Sequence, residues 1–116
     1  MNTVVVVDLV KGEAPGSPRI ESDEFLMTTG STRPLEDAYR MSQLDLVAWT
    51  GQLLGLEELD AYQLVSQAGL APAGNVVDTN YTMLAKLPKR LLGAATAYDG
   101  VHGRLREVAA DYLRTR

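Results

Sequence analysis

The hydrophobic pattern changes period several times along the chain, and each change marks an element. Thr3–Lys11 is a valine-rich run broken only by Asp8, and its β-branched residues predict a strand. Because consecutive valines point to opposite faces, that strand is expected to be covered on both sides. Gly12–Pro18, with two glycines and two prolines, reads as a loop. Arg19–Glu21 and Phe25–Thr29 read as short strands around a Ser22-Asp23-Glu24 turn, and Gly30–Arg33 as a second loop. Pro34 suits a first helical position, Ser31 or Thr32 is available as a cap, and Glu36 and Asp37 suit the positive helix end. The period then shifts to that of a helix over Leu35–Leu54, with Gly55 as a left-handed terminator. Leu35, Tyr39, Leu46, Trp49 and Leu53 share one face, and Met41, Leu44 and Ala48 form a second apolar sector.

Glu57–Ala68 reads as another helix, with Ala61, Leu64, Val65 and Ala68 on one stripe and Gly69 as its stop. Two helices joined through Gly55 predict a helical hairpin. Leu70–Gly74 reads as a loop, Val76 and Val77 as a short extended piece, and Tyr81–Leu87 as a strand ended by Pro88. Gly93–Gly103 is a small-residue connector before a helix over Arg104–Leu113, with Leu105, Val108, Ala109 and Tyr112 on its stripe. The fold class expected is therefore α+β: a small mixed or antiparallel sheet from the Thr3, Arg19, Phe25 and Tyr81 segments, packed on the helical hairpin, plus a carboxy-terminal helix. One sheet face left apolar would favour self-association.

With 116 residues, 46% of them hydrophobic and 22% charged, the chain fits one ordinary globular domain. No apolar run approaches the roughly 20 residues of a membrane-spanning helix. The opening M-N-T-V-V-V-V-D does not read as a secretory signal, so a cytoplasmic address is expected. Without cysteine there are no disulfides, thiolate metal sites or Cys nucleophiles. The formal charge of −4 is uneven: residues 1–85 carry 4 basic and 12 acidic groups, and residues 86–116 carry 7 basic and 3 acidic. Such a basic end can mark nucleic-acid binding, but its charges are interleaved with Asp99, Glu107 and Asp111 and the pI is about 4.9. A complementary contact with the acidic part or a neighbouring subunit is the favoured reading, with no nucleic-acid partner.

Among residues that could carry chemistry, Asp78 stands out, flanked by Asn75 and Asn80 beside a strand. Asp and Asn bond their own backbone in turns, and that role alone accounts for D-T-N; the functional alternative lets Asp78 line the mouth of a binding site or orient a metal ligand. Arg19 and Glu21 alternate around Ile20 and are expected to point away from the buried face. Asp45 falls inside the apolar sector of its helix, where a carboxylate needs a partner such as an arginine or the Trp49 indole. His102 is the only histidine and reads as a loop residue, too isolated for a metal site. The T-T-G-S-T segment reads as a capped helix start rather than an anion site, and no hydroxyl has a histidine at a useful spacing.

Three strings occur in order: S-P-R-I-E at Ser17–Glu21, T-T-G-S-x-R-P-L-E-D-A at Thr28–Ala38 and N-V-V-D-T-N-Y-T-M-L-A-K-L-P-K at Asn75–Lys89. Together they resemble the carboxy-terminal third of the acetamidase/formamidase family, over roughly Val4–Leu92. The resemblance assigns residues 1–92 to that region and leaves 93–116 as connector and final helix. It implies an amidase that hydrolyses short linear amides to carboxylate and ammonia, using a divalent metal such as zinc in the complete enzyme. The family's G-D-x-H-A-x-Q-G-x-G-E string is absent from this chain, and A-G-L-A at Ala68–Ala71 stands where many relatives resemble A-G-D-L. No metal ligand or catalytic residue is therefore assigned here; Asp78, Asn75 and Asn80 are the substrate-binding candidates. The resemblance implies a scaffold that meets a separate amino-terminal amidase portion or another copy of itself, and sees the small amide only in the complete enzyme. The alternative is a non-catalytic assembly module built on the same fold.

Overall fold

The computed structural model describes residues 1–116, which divide into two compact units, Pro15–Ala95 and Met1–Ala14 with Thr96–Arg116. The larger unit holds β1 (Arg19–Glu21), β2 (Phe25–Thr32), α1 (Leu35–Leu54), α2 (Glu58–Ala68), β3 (Ala73–Asn75) and β4 (Tyr81–Pro88). Its sheet has the order β1-β2-β4-β3, and every pairing is antiparallel. With the helices this is an α+β fold, as the periodicities predict.

The register explains the core. Leu26 lies opposite Leu87, Thr28 opposite Ala85 and Gly30 opposite Met83. Since opposed residues share a face, these form one layer, and Leu26, Thr28, Ala85 and Leu87 are all buried. Against them α1 buries Ala38, Ser42, Leu46 and Trp49, spaced to fall on one stripe. This stripe differs from the expected one: Leu35 and Tyr39 are exposed, and small Ala38 and Ser42 take the inner positions. Their size lets α1 approach β2 closely. Thr28 Oγ1 donates to the Ser42 carbonyl at 2.6 Å, and a Cβ on Gly30 would overlap the Ala38 carbonyl oxygen and lie 2.8 Å from Met41 Cβ.

That approach also corrects the loop expected at Gly30–Arg33. Residues 30–32 continue β2, paired with Met83, Thr82 and Tyr81, because only a residue without a side chain fits under the helix there. Ser31 and Thr32 consequently sit in the strand and do not cap α1; Pro34 occupies the cap position without a side-chain hydrogen bond. Gly55 ends α1 with φ of 65°, as expected of a left-handed terminator. A turn closes the β1–β2 hairpin, in which Ser22 Oγ accepts from the Phe25 N–H at 3.0 Å. A short strand, Ala73–Asn75, pairs with β4 where a loop was expected, and Val76–Asn80 form bends.

The smaller unit carries α3 (Val101–Arg114), longer than expected, so that His102 lies in its first turn rather than in a loop. The strand expected over Thr3–Lys11 does not form. A strand needs a neighbour for its backbone groups, and Val4–Val7 make no backbone hydrogen bond in this chain. Instead Asp8 accepts from the Leu9 N–H at 2.8 Å and pairs with Arg104 at 3.1 Å, which together hold its carboxyl below the ordinary value. The expected covering of both faces of this run is likewise not met: Val5 and Val7 are 75% and 86% exposed.

Candidate functional site

Asn75 ends β3 and closes a turn with its own side chain. Its Oδ1 accepts from the Val77 N–H at 3.0 Å and the Asp78 N–H at 3.4 Å, while Nδ2 donates to the Asp78 carbonyl at 3.1 Å. This is the local role that the D-T-N pattern suggests. The Thr79–Asn80 peptide is cis, and β4 begins at the next residue. Asp78 and Asn80 are exposed. Removing the Asn75 carboxamide by Asn75→Ala is expected to cost about 1 kcal/mol, the net worth of a turn hydrogen bond. Chemical denaturation measures this, with hydrogen exchange localising the loosening to residues 76–80.

The turn stands at the end of the sheet where β2 finishes and α1 begins. Thr32 pairs with Tyr81 there, and Ser31 Oγ and Thr82 Oγ1 share a hydrogen bond of 2.7 Å. The site thus presents one carboxylate, two carboxamides and a hydroxyl pair, a surface able to donate to and accept from a small polar group. The Ser31–Thr82 pair cannot be read from the sequence, because its meeting depends on a register spanning 51 positions. No group of three His, Cys, Asp or Glu side chains comes together that could hold a metal ion.

The charged residues of β1 have a different role from the expected surface one. Arg19 Nε and Nη2 donate to Asp45 at 3.0 and 2.6 Å, and the Arg19 guanidinium lies 4.5 Å from the centre of the Trp49 ring. Glu21 pairs with Lys89 at 2.7 Å, and Lys89 also donates to the Ser22 carbonyl at 3.0 Å. Both β1 residues face the buried layer, and Ile20, expected inside, is 43% exposed. The reason is register: Arg19 lies opposite Thr28 and Glu21 opposite Leu26, both on the α1 side. Asp45 has the arginine partner that its position demands.

On the outer side of the helical hairpin, α1 and α2 border a groove of about 560 Å³ lined by Tyr39, Leu44, Leu59, Tyr62 and Leu70 among others. These five side chains are all exposed. Large apolar groups collected in one groove are the kind of surface that takes up a partner or a ligand.

No family model matches the chain, and no curated protein matches it significantly. Among solved structures, the acetamidase from Yersinia enterocolitica is 46% identical with a TM-score of 0.68, over 71% of this chain and 25% of that one. The acetamidase from Bacillus halodurans, 20% identical with a TM-score of 0.64, covers 69% of this chain and 27% of its own, and shares the fold. The chain spans about a quarter of the length of these acetamidases. The solved structures it is similar to are acetamidases, and with 46% identity over 71% of its length the chain is consistent with a carboxy-terminal portion of the acetamidase family.

Proposed function

We propose that this chain is the scaffold portion of an amidase of acetamidase/formamidase type, which hydrolyses short linear amides to carboxylate and ammonia. The 46% identity to the Yersinia enterocolitica acetamidase carries this reading. The residues present do not fit the divalent metal that the family implies, since no cluster of three suitable donors exists. In this reading the metal is held by residues outside the chain, and the chain's share is to position the turn of Asn75, Asp78 and Asn80 at the mouth of the completed site. There the exposed Asp78 carboxylate accepts a hydrogen bond from the amide's NH₂ group, and the Asn80 carboxamide donates to its carbonyl. The enzyme works in the cytoplasm; no helix is long and apolar enough to cross a membrane.

The test is reconstitution. The purified chain is combined with Yersinia enterocolitica acetamidase trimmed of its matched quarter, and ammonia release from formamide and acetamide is followed. Activity of the mixture above that of the trimmed protein alone is expected, and Asp78→Ala is expected to raise KM more than it lowers kcat. A mixture that associates without any gain in turnover would instead favour the non-catalytic assembly module, for which the exposed groove between α1 and α2 is the structural support. Sedimentation of the chain alone tests whether a second copy fills that groove, a monomer at high concentration excluding it.

A further inference from the structure

The valine run does not pair with anything in this chain, yet it keeps the alternation of a strand. Val5, Val7 and Leu9 are 75%, 86% and 74% exposed, whereas Val4 and Val10 are 42% and 36% exposed and Val6 is half-buried. The less exposed series is the one that includes Asp8, paired with Arg104 of α3. Residues 1–7 also line a shallow cavity together with Val108 and Tyr112 of α3. Both series border that cavity, and it is the exposures that set them apart: Val5, Val7 and Leu9 form the more exposed series, and it is wholly apolar. Val4–Val7 make no backbone–backbone hydrogen bond, and strand addition would supply such bonds.

We propose that Val4–Val10 is a donor strand. It adds to an open sheet edge in the part of the acetamidase fold that this chain does not match, and Val5, Val7 and Leu9 become buried there. The inference rests on the amidase reading above for the identity of the partner. The occupant follows from three observations. The chain's own sheet ends in β1 and β3, each three residues long, which are too short to receive a seven-residue run. Two copies of the run pairing with each other would form a two-stranded ribbon with its more exposed series still in water, an arrangement of marginal stability. The Yersinia enterocolitica acetamidase, by contrast, has three quarters of its length outside the matched region, enough to supply both a sheet edge and a covering layer.

The experiment uses the chain mixed with the trimmed Yersinia enterocolitica acetamidase, with hydrogen exchange of the Val4–Leu9 amides and the dissociation constant as readouts. Protection of these amides is expected only in the mixture. Val5→Pro, which removes a backbone donor, and Val7→Lys, which places a charge in the more exposed series, are each expected to weaken association by about tenfold or more. Val5→Ile, still β-branched, is expected to leave it within about twofold. Val5 and Val7 are mostly exposed in the free chain, so circular dichroism of the variants alone is expected to match the parent. Unchanged affinity in Val5→Pro and Val7→Lys, protection that appears in the chain alone as its concentration rises, or failure of the parent chain to associate would each overturn the donor strand. Amides protected in a mixture that releases no ammonia would support the strand and sink the amidase reading. Ammonia release undiminished by Val5→Pro would do the reverse.

Discussion

Gly30→Ala is expected to destabilise the larger unit by about 3 kcal/mol or more, the upper range for forcing atoms into a packed interior. The new methyl group has nowhere to go. It would overlap the Ala38 carbonyl oxygen and lie 2.8 Å from both Met41 Cβ and the Ser42 nitrogen. Two of these three atoms belong to the α1 backbone, so a side-chain rotation cannot relieve the clash; the helix must lift away from β2. Lifting it separates Thr28 from the Ser42 carbonyl and opens the layer of Leu26, Leu46 and Leu87. Gly55→Ala provides the comparison. Its φ of 65° strains a side chain, but no atom stands within reach of a Cβ, so a cost of only about 1 kcal/mol is expected. Urea unfolding of both variants measures the difference, and similar losses would contradict the close approach of α1 to β2.

Asp45→Ala is expected to cost about 2–3 kcal/mol. Arg19 and Asp45 side chains are 13% and 22% exposed, between the surface pairs that contribute little and the fully buried ones whose breakage costs about 3–5 kcal/mol. Removing the carboxylate leaves the Arg19 guanidinium over the Trp49 ring with both donated hydrogen bonds lost. If the cost is that of an orphaned charge, replacing both partners by apolar groups, as in Arg19→Met with Asp45→Leu, recovers all but about 1 kcal/mol. A double variant as unstable as Asp45→Ala would show that the pair holds β1 on α1 through geometry that packing cannot replace. The cycle completed with Arg19→Met alone isolates the coupling.

What could be read from the sequence is what local chemistry decides. Pro34 and Gly55 punctuate α1, so its span was legible without a partner, and the alternation of Tyr81–Leu87 with Pro88 behind it gave β4 in the same way. The errors fall where a distant segment decides. Glycine and two hydroxyl residues at 30–32 read as a loop, and only the register with Tyr81–Met83 under the helix makes them strand. The direction of β1 was misread because apolar Ile20 was given the inside, whereas Asp45, 26 positions away, draws Arg19 there. Asp45's need of a partner was visible; which arginine met it was not. For the valine run the composition indicated a strand, but β-propensity expresses itself only against a neighbour.

The turn at Asn75–Asn80 was legible in its type and not in its setting. Asn75 and Asp78 form the turn that their residue types suggest, with bonds from Asn75 Oδ1 and Nδ2. The neighbouring Ser31–Thr82 pair required the sheet register to be known. The central claim proposed here is that this polar end belongs to a scaffold whose reactive groups lie in the remainder of the enzyme.

The most direct measurement is ammonia release from acetamide by the purified chain alone, supplied with divalent metal, set against buffer and against the same chain with the trimmed acetamidase added. A rate equal to that of buffer is expected for the chain alone, with turnover appearing on addition of the second component. Turnover by the chain alone that rises in proportion to its concentration would contradict the account.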